Sequence, residues 1–416
     1  MSSQPRVLSR PQLAAVVAGN ALEFYDFMVL GTFAVQFGAV FFPAQLPTQQ
    51  LFLTLATAWV GFLARPLGGF VIGPLGDRIG RKPAMLFSFG LMGFSIIGLA
   101  LTPSYATIGV AAPILAVVFR LLQGFALGGE VGPTTALLME AAPAGKRGLY
   151  VALQFATQQA ATVIAGLAGV ILSSLLMPEH LNAWGWRIAM LLGAAVVPFA
   201  LVLRKRLPET LETRAAHVDH RPTRQQVVLG ALTVVILASA TIATYTLFYI
   251  NIFATHTLGL TPTIGFGALL IGSASGVIFN PVGGWLSDRF GRKPVMMGAY
   301  GLLCLVTVPC FMVMTHWRGP ITLYSGAVLL AGLLALGTPA IMCSLMESLP
   351  PQMRSGATGI IYAVAISVFG GSASLVVAWL TDLTGSPLAP AGYMSAALAL
   401  GVLSMLSVRE TVPRRK

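Results

Sequence analysis

A few charged residues stand where the surrounding sequence is apolar enough for lipid. Glu23 and Asp26 lie in GNALEFYDFMVLGTFAVQF, Arg65 in ARPLGG, and Arg120 and Glu130 in RLLQGFALGGE. At a spacing of i and i+3, Glu23 and Asp26 share one face of a helix. A rise of about 1.5 Å per residue puts Glu23 about 16 Å beyond Gln12 and Arg65 about 18 Å before Asp77, near the middle of a ~30 Å hydrocarbon core. An ionisable group at that depth costs from about 2.5 kcal/mol upward unless it is paired or faces water. Two chemistries meet these facts. A carboxylate whose proton affinity is set by burial and by a neighbouring arginine is a proton carrier. A guanidinium does not deprotonate and offers a carboxylate two parallel donors, so Arg120, assisted by Arg65, is the candidate anion ligand. The acids outnumber the arginines by one charge, and the set is nearest neutral with one proton bound. The plainer alternative is that Glu23, Asp26 and Glu130 only neutralise Arg65 and Arg120 and lock their helices together.

The elements that carry these residues must cross a membrane. The 416 residues are 56% hydrophobic and 9% charged, with a mean hydropathy of +0.82, whereas soluble domains are about a quarter charged. Apolar runs of roughly 18 to 30 residues are too long for barrel strands, which need about ten. Helices are expected near 12–42, 50–75, 83–102, 109–140, 148–177 and 186–204, then 227–256, 261–287, 294–314, 320–348, 356–381 and 389–408. The expectation is an all-α integral membrane protein with twelve transmembrane helices. Arg6 and Arg10 precede an apolar run too long for a signal h-region, so the first helix is expected to stay in the mature chain. With the N-terminus inside, Arg187 and Arg318 are the only Lys or Arg residues assigned outside, and Arg65 and Arg120 the only ones within spans; the rest of the 25 fall on the inner side. That asymmetry predicts cytoplasmic termini. It also accounts for the net charge of +12 without a nucleic-acid partner, since no basic stripe with interleaved aromatics occurs.

The longest polar stretch, RKRLPETLETRAAHVDHRPTRQQ, lies near the midpoint and divides the chain into residues 1–204, a cytoplasmic loop at 205–226, and residues 227–416. Each side repeats the other. GPLGDRIGRKP returns as GWLSDRFGRKP and EAAPAGKRG as ESLPPQMRS, pairing Asp77 with Asp288, Glu140 with Glu347 and Arg147 with Arg354 at offsets close to half the chain. The expected structure is therefore two six-helix halves. In these loops Asp77 or Asp288, at a helix end, is placed to accept hydrogen bonds from the N-terminal amides of the next helix, and Arg78, Arg81, Arg147, Arg289, Arg292 and Arg354 are within reach of Glu140, Glu347 or headgroups. Such a network makes a cytoplasmic gate; the alternative is topology-setting charges worth about 0 to 1 kcal/mol a pair.

GPLGDRIGRKP, its echo, and RLLQGFALGGE resemble signatures of the major facilitator superfamily. Within it, GNALEFYDF, ARPLGG, WGWRIAMLLG and RLPETLE are similar to the metabolite:proton symporter family, and ATQQAATVIAGLAG with FGGSASLVVAWLTDLTG to its citrate and tricarballylate branch. The resemblance implies halves related by pseudo-two-fold symmetry around a central cavity, alternating access, and proton-driven import of a small organic anion across a bacterial inner membrane by a functional monomer. Because the first helix lines the cavity in this superfamily, Asp26 is the first choice for the coupling proton, followed by Glu130 and Glu23. The eighth helix departs from the repeat, with Asn280-Pro281-Val282-Gly283-Gly284 where the second has Arg65-Pro66-Leu67-Gly68-Gly69.

The C-terminal half offers only neutral polar groups at comparable depth, such as Thr244, Tyr245, Tyr249, Asn280 and Tyr362; Tyr245, Tyr249 and Asn251 on the seventh helix, with Gln158 and Gln159 on the fifth, are candidate substrate ligands. Aromatic packing and interhelical hydrogen bonding are their alternatives. No His falls at midplane or in a metal spacing, and no HExxH or GxSxG occurs, so neither a metal, another cofactor nor an enzyme is expected. Cys304, Cys310 and Cys343 read as small buried hydrophobes. Other substrates remain open, namely α-ketoglutarate, proline or betaine, as does export or antiport.

Overall fold

The computed structural model describes residues 10–43, 47–79, 81–128, 131–143, 145–205, 224–349 and 354–411. The helices in order are α1 (Arg10–Thr32), α2 (Ala34–Phe41), α3 (Pro47–Ile79), α4 (Arg81–Leu101), α5 (Tyr105–Ile108), α6 (Ala111–Leu127), α7 (Val131–Glu140), α8 (Arg147–Leu175), α9 (Pro178–His180) and α10 (Trp186–Lys205). After the central segment come α11 (Arg224–Phe248), α12 (Ile250–Ile252), α13 (Pro262–Phe290), α14 (Arg292–His316), α15 (Pro320–Glu347), α16 (Arg354–Val364), α17 (Gly371–Thr384) and α18 (Ala389–Leu406). No strand occurs among the described residues. Among the described residues eight helices are long and apolar enough to cross a membrane, or nine if α1 and α2 form one bent span. Large apolar side chains such as Leu175, Leu305 and Ile321 face outward, as lipid contact requires.

Four of the expected continuous helices are interrupted, those over 12–42, 109–140, 227–256 and 356–381, and long-range contacts explain two of the breaks. The run expected over 12–42 bends by 64° between α1 and α2. At the bend the Asn251 amide, from the other half of the chain, donates to the Thr32 carbonyl at 2.8 Å, while the Thr32 hydroxyl donates to the Met28 carbonyl at 2.9 Å. A side chain entering the backbone ladder is a recognised cause of kinking. The run expected over 356–381 is interrupted by a π-helical turn at Ala365–Gly370. There the Trp59 indole donates to the Ser367 carbonyl at 2.9 Å and the Ser367 hydroxyl donates to the Phe62 carbonyl at 2.8 Å, so the loosened turn is engaged by α3. The run expected over 109–140 divides into α6 and α7 on either side of residues 129–130.

Small residues set how closely the helices approach, since lipid gives apolar faces little reason to associate. α3 and α6 cross at Gly61 and Gly124, where a Cβ on Gly124 would overlap the Gly61 carbonyl. α8 and α13 pack antiparallel, from Gly148 against Gly284 at one end to Ser173 and Thr263, whose hydroxyls lie 3.0 Å apart, at the other. The first contact fixes the spacing of Arg65 and Arg120. The second brings the two halves together.

Candidate functional site

Asp26, Arg65 and Arg120 are brought together and buried, at 1%, 6% and 1% exposure. Asp26 comes from α1, Arg65 from α3 and Arg120 from α6. Both guanidiniums stack on one ring, with the Arg65 and Arg120 carbons 4.3 and 4.7 Å from the Phe27 centroid. Arg65 also lies 4.6 Å from the Phe62 ring. Cation–π contact repays part of the cost of dehydrating a guanidinium, and more so when the ring is itself buried.

Asp26 and Arg120 do not form a direct ion pair. Gln123, fully buried, lies between them: Arg120 Nη1 donates to Gln123 Oε1 at 2.7 Å, and Gln123 Nε2 donates to Asp26 Oδ2 at 3.1 Å. Asp26 Oδ1 and Arg120 Nε and Nη2 are buried without a hydrogen-bond partner. Nε and Nη2 form one edge of the guanidinium fork, the edge that accepts a carboxylate side-on. Sequence reasoning passed over Gln123, although its place three residues after Arg120 puts it on the same helix face.

Next to this cluster lies a cavity bounded by both halves of the chain. Gln158 and Gln159 of α8 and Phe24 of α1 face Thr244 and Tyr245 of α11, Asn280 of α13 and Tyr362 of α16. Gln159 Oε1 and Asn280 Oδ1 are buried without partners. Among the described residues, no Asp, Glu, Lys, Arg or His lines it. The arginines sit one aromatic layer behind: Phe62, which stacks on Arg65, meets Tyr245 edge-on with centroids 5.3 Å apart, and Tyr245 borders the cavity. Tyr249 is buried outside the lining. A separate polar chain joins Gln158 to Asn20, which donates to the Gln154 carbonyl at 3.1 Å and to Thr157 at 3.2 Å.

The duplicated loop forms a network across the halves, with one departure from expectation. Asp288 accepts hydrogen bonds from the amides of Gly148 and Leu149, at 2.8 and 3.0 Å, at the start of α8 rather than of the next helix. The next helix, α14, is capped instead by Glu410, which takes the Arg292 and Lys293 amides at 2.9 Å each. Gly291, at φ 102°, turns the chain so that the start of α14 faces the C-terminal segment. Arg292 joins the parts, donating to Asp288 at 2.8 Å and to Glu347 at 3.1 and 3.2 Å, and Arg147 lies 3.8 Å from Glu347. Arg289 is outside this network and stacks on Trp285 and Phe290; Glu140 is exposed at the end of α7. Glu130 and the side chains of Glu23, Asp77, Arg78, Arg81 and Arg354 lie outside the described residues.

Residues 16–312 and 264–416 match the Major Facilitator Superfamily. The chain is 33% identical over 399 residues to the citrate-proton symporter of Klebsiella pneumoniae, covering 94% of this chain and 89% of that protein. It is 33% identical to the alpha-ketoglutarate permease of Escherichia coli K12, covering 90% and 89%, and 32% identical to the proline/betaine transporter of Salmonella typhimurium, covering 97% and 84%. Among solved structures it resembles the xylose transporter XylE from E. coli in a partially occluded inward open conformation, with a TM-score of 0.75 over 97% of this chain and 98% of that one. At 16% identity that likeness is one of fold.

Proposed function

Because the chain belongs to the Major Facilitator Superfamily, we propose that it is a proton-coupled symporter importing a small organic anion, a tri- or dicarboxylate such as citrate or tricarballylate, by alternating access. It is a multi-pass membrane transporter and not an enzyme. In this reading, twelve helices form two pseudo-symmetric halves, 1–204 and 227–416, joined by a cytoplasmic segment at 205–226, with both termini in the cytoplasm of a bacterium and the monomer as the working unit.

The observation that carries the proposal is the burial of one carboxylate with two guanidiniums beside a cavity bounded by both halves. Among the described side chains, Asp26 is the buried negative charge opposite Arg65 and Arg120. Protonating Asp26 removes that charge and leaves Arg120, whose Nε and Nη2 have no hydrogen-bond partner, to an incoming anion; binding an anion in turn favours the proton. Coupling of this kind is reciprocal, because each ligand changes the other's affinity by the same factor. Gln158, Gln159 and Tyr245 orient the substrate from the cavity wall, while Glu23 and Glu130 share the proton-binding role. The bonds from Gly148 and Leu149 to Asp288 close the cytoplasmic side and break when it opens.

A second reading has its own support. The cavity wall is aromatic and amide in character, with Phe24, Tyr245, Phe248 and Tyr362, and such a wall suits an alkylammonium group by cation–π attraction. A zwitterion such as proline or betaine would then place its ammonium in the cavity and its carboxylate toward Arg120.

The test is uptake of labelled citrate into proteoliposomes with and without an inward proton gradient, with tricarballylate, α-ketoglutarate and proline as competitors. Gradient-driven citrate uptake that is lost in Asp26→Asn, with citrate exchange retained, supports the proposal. Proline uptake without citrate uptake transfers it to the second reading. Uptake that stays gradient-driven in Asp26→Asn removes Asp26 from the coupling role.

A further inference from the structure

An acid that must gain and lose a proton at midplane cannot be tied to an arginine too firmly, because an ion pair in low dielectric resists protonation of its carboxylate. Asp26 and Arg120 are close enough to interact electrostatically but are kept from direct contact by the Gln123 side chain. The two ends of that amide are used in the only way their chemistry allows, the oxygen toward the cation and the nitrogen toward the carboxylate. Each end is committed, so the amide cannot turn without losing both bonds. Asp26 Oδ2 receives the amide hydrogen, which leaves Oδ1, buried and unpartnered, as the oxygen free to carry a proton. Protonation at Oδ1 leaves the bridge intact. On the cation, Gln123 occupies Nη1 and leaves the Nε and Nη2 edge uncommitted.

We infer that Gln123 is a positioning residue that links Asp26 to Arg120 while holding them apart, so that Asp26 exchanges its proton at Oδ1 without breaking an ion pair. The role rests on the symport reading for its consequence in transport, so the test reads the proton directly and needs no substrate. Arg120 on α6 and the adjacent Tyr25 on α1 interact electrostatically with Asp26; Arg65 on α3 and Tyr245 on α11 interact with Arg120, and Tyr362 on α16 with Tyr245. α10 meets Asp26 through Gly193, which brings no charge. Glu130 and the Glu23 side chain lie outside the described residues. None of the named groups is altered by the substitutions below.

The experiment is infrared difference spectroscopy of the reconstituted full-length protein during pH steps between about 4 and 10, a range that brackets ordinary and strongly raised carboxyl values. The Asp26 carboxyl band is assigned by its loss in Asp26→Asn. In Gln123→Ala the guanidinium and carboxylate are released into direct contact, and the titration midpoint falls by about one pH unit or more. In Gln123→Glu the bond to Arg120 is kept but a second carboxyl faces Asp26, and the midpoint of the pair rises. Opposite displacements are a result that loss of packing does not produce. Gln123→Glu is nearly isosteric, so it carries the test if Gln123→Ala does not fold. A midpoint in Gln123→Ala that is unchanged or higher, one in Gln123→Glu that is unchanged or lower, or two variants displaced the same way, overturns the inference. If the wild type has no titrating band that Asp26→Asn removes, the proton site itself is wrong; that outcome refutes the inference together with the Asp26 assignment, and is distinct from a misassigned Gln123.

Discussion

Replacing Asp288 by Asn tests the closure between the halves. The Asp288 carboxylate takes the Gly148 amide at 2.8 Å and the Leu149 amide at 3.0 Å, and Arg292 donates to the same side chain at 2.8 Å. The first amides of a helix have no partner within it, so these bonds are the cap of α8 as well as a tie between halves. Asparagine keeps one acceptor oxygen, and its NH2 group must face either a backbone N–H or the guanidinium. Oδ1 takes both the Gly148 amide and Arg292, and Oδ2 takes the Leu149 amide, so at least one of the three bonds is lost and the remaining two lose their charge assistance. Each hydrogen bond to a charged group is worth about 1.5–3 kcal/mol net, and at 7% exposure the Asp288 side chain is little screened. Allowing for rearrangement, the closed arrangement loses about 3 kcal/mol, which is roughly a 100-fold shift toward opening. Hydrogen exchange in proteoliposomes reads this locally. The peptide holding Gly148 and Leu149 should exchange up to roughly 100-fold faster in the variant, while the far end of α8, near Ser173, is unchanged. Exchange at Gly148 and Leu149 within about twofold of wild type in a folded Asp288→Asn protein would refute the reasoning, because the amides would then be protected by something other than this carboxylate.

Two further outcomes follow from the same geometry. Arg120→Lys supplies one point charge where the guanidinium supplies both a bond to Gln123 and a free two-donor edge; uptake assays should give a KM raised about 10- to 100-fold with kcat less affected, and an unchanged KM removes Arg120 from substrate recognition. Gly124→Ala drives a methyl group into the Gly61 carbonyl and separates the helices that carry Arg65 and Arg120; overpacking of about 1–3 kcal/mol should lower Tm in detergent and reduce uptake, and an unchanged Tm shows that the crossing tolerates a wider spacing.

What the bilayer imposes was legible in the residues alone. Lipid demands long apolar helices with their backbone bonds satisfied internally, so the positions of most helices, the isolation of Asp26, Arg65 and Arg120 in apolar surroundings, and the neutral character of Thr244, Tyr245, Asn280 and Tyr362 were all readable from hydropathy and spacing. The duplicated loops announced Asp288, Arg292 and Glu347 as a set. The tertiary structure decided what depends on a partner far along the chain. Asn251 bends α1 from α2 at Thr32, Trp59 engages the π turn at Ser367, and Glu410 caps α14 so that Asp288 serves α8. It also set the two arginines behind Phe62 and Tyr245, outside the cavity lining, and put Gln123 between Asp26 and Arg120. The physical reason is the range of the forces. Burial and helix formation act over one or two turns and leave a periodic trace in the sequence, whereas a hydrogen bond between residues a hundred or more positions apart depends on packing that only the assembled helices create.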